Sequence, residues 1–216
     1  MKKVLLRAPL LTSSGYGVHS RQIFEWLYSL PDIELITECL NWGQTPWMLN
    51  GNLENGLIEK IMKCSRKVEP PYDLSFQVQL PDEWDISLAK KNVGISAVVE
   101  TDRCNSTWIE ACNKMDHVVV PSNFTKSVLK RSGILLTPTS VIYEHFNDEI
   151  LKNPTNTHNI KFETNFNFLI VGQLSATTSA TDRKNIFNTI DAIINTFQHN
   201  RDVGIIIKTN MGKGTT

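Results

Sequence analysis

No segment of the 216-residue chain approaches the run of about 20 apolar residues that a membrane span needs, so no transmembrane segment is expected. Excess charge is missing too. The 22 basic and 22 acidic residues balance, and without a basic run neither nucleic acid nor another polyanion is an expected partner. Cysteine is sparse: Cys39, Cys64, Cys104 and Cys112 form no C-x-x-C pair and are too few for a disulfide scaffold, the usage of a reduced, cytoplasmic protein. The chain has no D-x-D, and its five histidines show no H-x-x-x-H or Cys/His ligand spacing, so no metal site is expected. No leader is expected either. Arg7 and Pro9 interrupt the apolar N-terminus MKKVLLRAPLL and no small-residue cleavage site follows. The acceptor patterns at Asn105 and Asn123 are then read as chance matches.

What the chain does have is a regular alternation of strand-like and helix-like runs. The most organised stretch is Asn92 to Gly133. Val93 to Val99 is apolar and β-branched, of buried-strand length. Glu100, Thr101, Asp102 and Arg103 follow where such a strand leaves a sheet, the usual place for a site in α/β folds. Thr107 and Glu110 have capping-box spacing, predicting a short helix with Trp108, Cys112 and Met115 on one side. Asp116 to Val120 is the next strand. Ser122 is the expected N-cap of a helix that turns Phe124 and Val128 inward and stops at Gly133.

Upstream, Lys3 to Ala8 reads as a buried strand, and the loop PLLTSSGYGVHS leads into a helix with Ile23, Trp26, Leu27 and Leu30 on one face. A glycine-rich loop at a helix N-terminus offers free N–H groups to a phosphate. Gly15 and Gly17 make only half of a G-x-G-x-x-G fingerprint, with Ser20 in the third position, and a turn without a ligand is an equal alternative. Ile33 to Glu38 is the second strand. In the ordered loop NWGQTPWMLNGN, Trp42 and Trp47 either pack on the sheet, the preferred reading, or stack on a sugar ring. Leu53, Leu57, Ile61 and Cys64 mark an amphipathic helix closed by Pro70 and Pro71; Tyr72 to Gln79 and Pro138 to Glu144 are strands, and LPDEWDIS is a loop.

Residues 1–150 are thus expected to form a Rossmann-like, doubly wound parallel α/β sheet, and 151–165, within the polar, Asn-rich run from Asn147 to Asn165, a linker. Phe166 to Val171, a helix lined by Ile186, Ile190, Ile193 and Phe197, and Val203 to Lys208 make one β-α-β unit. One unit cannot cover both sheet faces, so 166–216 is expected to be an incomplete second Rossmann-like domain with exposed apolar surface. The tail MGKGTT is not a P-loop, because Gly214 stands at the Ser/Thr position and Ile207 at the first Gly.

The run VVVPSNFTKSVLKRSG, preceded by ETDRCNSTW, resembles the two-domain nucleotide-sugar glycosyltransferases of the GT-B fold, particularly the large retaining group often called family 4. There a strand such as HVVVPS leads into a helix at the interdomain cleft. With the segments above, the resemblance covers nearly the whole chain, and the order of the pieces carries it. It implies transfer of a sugar from a nucleotide-sugar donor to a glycan or other hydroxyl acceptor, with retention, without metal and with no cofactor besides the donor. It implies that Gly15, Tyr16 and Gly17 lie near donor phosphate and acceptor and that Ser122 stands at the helix entering the cleft; His19 would contact either substrate, with a solvated side chain in the helix's first turn as the commoner alternative. Glu100, followed by Thr101, occupies the position of a catalytic or substrate-orienting His. A carboxylate there hydrogen-bonds a sugar hydroxyl or accepts a proton, unless it only pairs with Arg103. Arg183 and Lys184 resemble the basic pair that faces the leaving diphosphate; two solvated charges are the alternative. Two departures stand out. Gln173 replaces an Arg that often follows the strand's Gly, and YEHFND lacks the usual turn Gly. The paired donor-side glutamates are expected beyond Thr216.

Two rival readings stay open. A dinucleotide-dependent oxidoreductase would use Gly15 and Gly17, with Glu38 at about the ~20-residue distance of a ribose-binding acid. The other is a non-catalytic sugar-binding module.

Overall fold

Val4, Leu5, Leu6 and Ala8 are all buried, the near-continuous apolar pattern of a strand covered on both faces, and they lie in β1 (Lys2–Ala8). In this computed structural model, which describes residues 1–43, 45–146, 151, 160–172, 174 and 177–209, the chain divides into two units, Met1–Phe146 and Asn147–Thr216. In the first, β1 pairs with β2 (Ile33–Cys39) on one side and β3 (Leu74–Val78) on the other. Next come β4 (Asn92–Ile95), β5 (His117–Val120) and β6 (Thr139–Val141), giving one six-stranded sheet in the order β2-β1-β3-β4-β5-β6. Every pair is parallel, so all six carboxyl ends share one edge. The chain steps outward from β1 to β2 and then back across to β3, and that reversal opens a crevice at the carboxyl ends of β1 and β3. The unit is a Rossmann-like α/β sheet flanked by helices.

Helices α1 (Gly15–Tyr28) and α2 (Leu53–Cys64) cover one face. Phe24, Leu27, Leu57, Ile58 and Ile61 pack there against Val4, Leu6 and Leu35. Complete burial of Phe24 or Leu27 contributes about 1.5–3 kcal/mol each. Leu5 and Ile36, pointing the other way, meet Tyr72, Leu88 and Ala89. Helices α3 (Ser106–Lys114) and α4 (Asn123–Ser132) pack Ile109, Cys112 and Leu129 around Val118 and Val120. All four cysteines are free thiols, and burial pushes that of Cys112 up to about 12.

The β3–β4 connection has no α-helix, only a 3₁₀ turn at Pro81–Glu83 followed by a loop. Buried polar side chains hold that loop down. Gln77 exchanges two hydrogen bonds with the Asp85 backbone (2.7 and 2.8 Å), while Asn92 donates to Ile86 O and Ala89 O (3.0 and 2.9 Å) and accepts from Ser75 (2.7 Å). A buried network satisfied in this way rigidifies the crossover.

Several local expectations change. β4 stops at Ile95 instead of Val99, because Ser96 Oγ takes the Val98 N–H at 3.1 Å and Val98 turns to φ +61°. The glycine-rich segment is the first turn of α1, not a loop before it. Its buried face is Gly17, Ser20, Arg21, Phe24 and Leu27, leaving Trp26 53% exposed and Leu30 beyond the helix end. Asn105, not Thr107, caps α3 by accepting the Thr107 N–H at 3.1 Å. Phe124 faces outward beneath the Arg131 guanidinium, while Thr125, Val128 and Leu129 take the inner face of α4. Ser122 caps α4 as expected. Leu53 is exposed, since Glu54, Asn55 and Gly56 are left-handed and regular α2 begins after them.

In the second unit, β7 (Phe166–Val171) and β8 (Val203–Lys208) form a parallel pair joined through α5 (Ile186–Phe197). Ile186 is the one buried residue of that helix, and Phe166, Leu169, Val171 and Ile194 are exposed. Most of the proposed linker, Gln173 and the MGKGTT tail lie outside the described residues.

Candidate functional site

The carboxyl edge of the large sheet begins with a turn built to receive α1. Thr12 Oγ1 donates to Pro9 O at 2.9 Å, and the buried Arg21 guanidinium donates to Leu10 O and Thr12 O at 3.0 Å each while pairing with Glu54 at 2.7 Å. The helix lies so close to this turn that a Cβ on Gly17 would stand 2.1 Å from Thr12 O. Nothing comparable surrounds Gly15. Ser14 is the N-cap, accepting the Gly17 N–H at 2.9 Å on its side chain and the Val18 N–H at 2.9 Å on its carbonyl. The amides of Gly15 and Tyr16 have no acceptor among the described residues, as the first donors of a helix do not. They are the open phosphate-type donors here, and the Gly17 amide is not.

Tyr16 reaches from this first turn to the loop after β4. Its hydroxyl lies 3.1 Å from Ser96 Oγ and accepts the Ala97 N–H at 2.9 Å, while its ring stacks on Trp42 with centroids 4.0 Å apart. Burial raises its phenol above the ordinary range. One turn later, His19 is held below the ordinary histidine value of 6.5 by burial, against the opposing pull of the Glu144 carboxylate and of neighbouring Gln22. Gln22 donates to His145 O at 2.7 Å, yet its Oε1 and His19 Nδ1 both stay buried without reaching hydrogen-bond geometry. Two buried polar atoms are thus left unsatisfied beside the open helix end.

Glu100 and Thr101 are exposed on the loop after β4, with Thr101 Oγ1 donating to Arg103 O at 2.8 Å. Two residues before Glu100, Val98 is 8% exposed and left-handed, a conformation that a β-branched residue holds at a cost of about 1–3 kcal/mol. Ser122 opens the segment after β5, but its hydroxyl is engaged with Thr125 as the α4 cap. The sheet therefore places Gly15, Tyr16, Gly17, His19, Glu100, Thr101 and Ser122 along one edge. Arg183 and Lys184 belong to the second unit, just before α5, where Asp182 accepts the Lys184 and Phe187 N–H groups at 3.1 and 2.9 Å.

Sequence reasoning missed a second group on this edge. A cavity of about 360 Å³ at the ends of β1, β2 and β3 is lined by Arg7, Leu40, Asn41, Trp42, Gln79 and Glu83. Arg7 and Glu38 are register partners on adjacent strands and pair at 2.9 Å; Arg7 Nη1 also donates to Gln79 Oε1 (3.0 Å) and Glu83 O (2.9 Å). The available signal was Arg7 itself, a charge set between the apolar run of Val4, Leu5 and Leu6 on one side and Ala8 on the other. Among the described residues no group of three or more His, Cys, Asp or Glu could hold a metal ion, and no helix is long and apolar enough to cross a membrane.

No family model matches the chain, and no curated protein matches it significantly. Among solved structures, one similar to it is Anabaena HepE in complex with UDP-glucose, at 11% sequence identity and a TM-score of 0.44, over 96% of this chain and 69% of HepE.

Proposed function

We propose that the protein is a glycosyltransferase that moves a sugar from a nucleotide-sugar donor to a hydroxyl acceptor, with retention, without a metal and with no cofactor besides the donor. The observation that carries this reading is the Tyr16 bridge, which ties the open amides of Gly15 and Tyr16 to the loop bearing Glu100 on one edge of the sheet. Transfer breaks the bond between the anomeric carbon and a diphosphate oxygen and forms one to the acceptor oxygen, whose proton passes to the departing diphosphate. Negative charge grows on that leaving group. Donors and cations fixed toward it stabilise the transition state more than the ground state. The helix N-terminus supplies such donors and Glu100 orients a sugar hydroxyl, while Arg183 and Lys184 are the cations that the resemblance implies for the donor side. In this scheme 1–150 is the acceptor-side domain, 151–165 the linker and 166–216 the start of the donor domain, in a cytoplasmic protein.

The dinucleotide reading loses its ribose-binding acid, since Glu38 is already paired with Arg7, and its second glycine amide is taken by Ser14. Titration with UDP-, GDP- and ADP-sugars, followed by a nucleotide-release assay with hydroxyl acceptors, tests the proposal. One base class is expected to raise the melting temperature and to be turned over. Binding without turnover would identify a sugar-binding module. No response to any sugar nucleotide, together with a fluorescence change on adding a reduced nicotinamide dinucleotide, would revive the oxidoreductase.

A further inference from the structure

We infer that the cavity at the carboxyl ends of β1, β2 and β3 is a subsite for one neutral sugar ring of the acceptor, read by Arg7, Gln79 and Trp42; the acceptor role rests on the transferase reading above. Gln79 is only 5% exposed, and its amide orientation is fixed because an arginine can only donate, so Oε1 faces Arg7 Nη1 at 3.0 Å. The Nε2 group is then left with two donors and no protein acceptor among the described residues, in the wall of the cavity. Arg7 is similar. Nε and Nη1 are satisfied by Glu38, Gln79 and Glu83 O, and neither N–H bond of Nη2 has an acceptor among the described residues. Both groups are held in place by their other bonds and face the cavity with unspent donors, which suits them to oxygen acceptors.

Charge decides which oxygens. The Arg7 cation is balanced by Glu38, and the Glu83 carboxylate at the rim adds a further negative charge, so a phosphate or carboxylate is disfavoured. A neutral polyol is not. Glu83 binds the Leu80 N–H through Oε2 at 3.1 Å and keeps Oε1 as an acceptor, giving the mixed donors and acceptor that a row of hydroxyls requires. Trp42 adds the aromatic wall that matches the apolar C–H face of a pyranose. At about 360 Å³ the cavity is at the small end of ligand sites, room for a single ring. The stack of Trp42 on Tyr16 sets this ring one aromatic pair away from the open helix amides.

Calorimetric and tryptophan-fluorescence titrations with methyl glycosides of neutral hexoses, with glucuronate and with glucose 6-phosphate provide the test, repeated on Gln79→Glu and Trp42→Phe. At least one neutral glycoside is expected to bind at millimolar concentration and the two anions not to. Gln79→Glu, which keeps shape but removes both free donors, is expected to weaken binding about tenfold or more. Trp42→Phe is expected to weaken it several-fold and tests the site should Gln79→Glu fail to fold. Anions binding better than neutral glycosides, no neutral binding at all, or wild-type affinity in a folded variant would overturn the inference. So would competition between a nucleotide sugar and the glycoside, since the ring held would then be the donor's. Glycoside binding without any nucleotide-sugar binding would uphold the cavity as a sugar site and remove the transferase reading alone.

Discussion

The hydroxyl of Tyr16 closes the turn at Ser96, 80 residues further along the chain: it sits 3.1 Å from Ser96 Oγ and accepts the Ala97 N–H at 2.9 Å. Removing that oxygen leaves a partly buried backbone donor without an acceptor. Tyr16→Phe is therefore expected to lower stability by about 1–3 kcal/mol in urea unfolding, with the ring stack on Trp42 retained. An unchanged unfolding midpoint would show that water replaces the hydroxyl without penalty.

The two glycines of the first α1 turn should respond oppositely. Gly17→Ala places a Cβ 2.1 Å from Thr12 O, a backbone atom that Arg21 holds in place, so the turn or the helix must move. Gly15→Ala meets nothing within 4 Å, and is expected to be neutral or to stabilise by up to about 1 kcal/mol through lost unfolded-state freedom. Melting temperatures of the two variants, measured side by side, check the contrast.

For Glu100, the expectation concerns turnover. Glu100→Gln keeps the shape of an exposed side chain and removes its charge, so the fold should persist. Sugar transfer should fall by about a hundredfold or more, the scale of a general base or transition-state contact. Turnover close to wild type at saturating donor and acceptor would take Glu100 out of the site.

His19 should give the protein an acid-side instability. Burial holds its folded-state value below 6.5, so between that value and 6.5 the unfolded chain binds a proton that the folded one refuses. Its contribution is complete above pH 6.5 and is lost as pH falls toward the folded value. A histidine NMR titration should show His19 with a midpoint under 6.5, and His19→Gln should flatten the stability curve in that window.

Much of the framework was legible because local chemistry decided it. Phe166–Val171 and Val203–Lys208 are largely apolar runs between polar segments, and Ser122 caps α4 with the side-chain bond its position demands. The inner face of α1 was not legible. Two of its five inward residues are Ser20 and Arg21, polar groups buried because Tyr16 O and the Leu10 and Thr12 carbonyls accept from them, and an apolar period cannot register such positions. β4 is cut short by Ser96, whose hydroxyl answers to Tyr16 from a distant part of the chain. The edge bearing Gly17 and Glu100 followed from strand alternation. The Arg7 cavity did not, since its walls come from three strands that only the register brings together.

The interior place of β1 also sets the order in which the sheet can be completed. Its first partner, β2, is available soon after synthesis, but its second edge must wait for β3, whose entry is marked by the Lys3 N–H donating to Asp73 across 70 residues. At ribosomal speeds of about 5–20 residues per second, that edge stays uncovered for several seconds. Long-range parallel pairing of this kind is slow to form even in a finished chain. A nascent β1 is thus a sticky apolar ribbon in search of a neighbour, and Arg7 is the charged residue at its far end that discourages a wrong one.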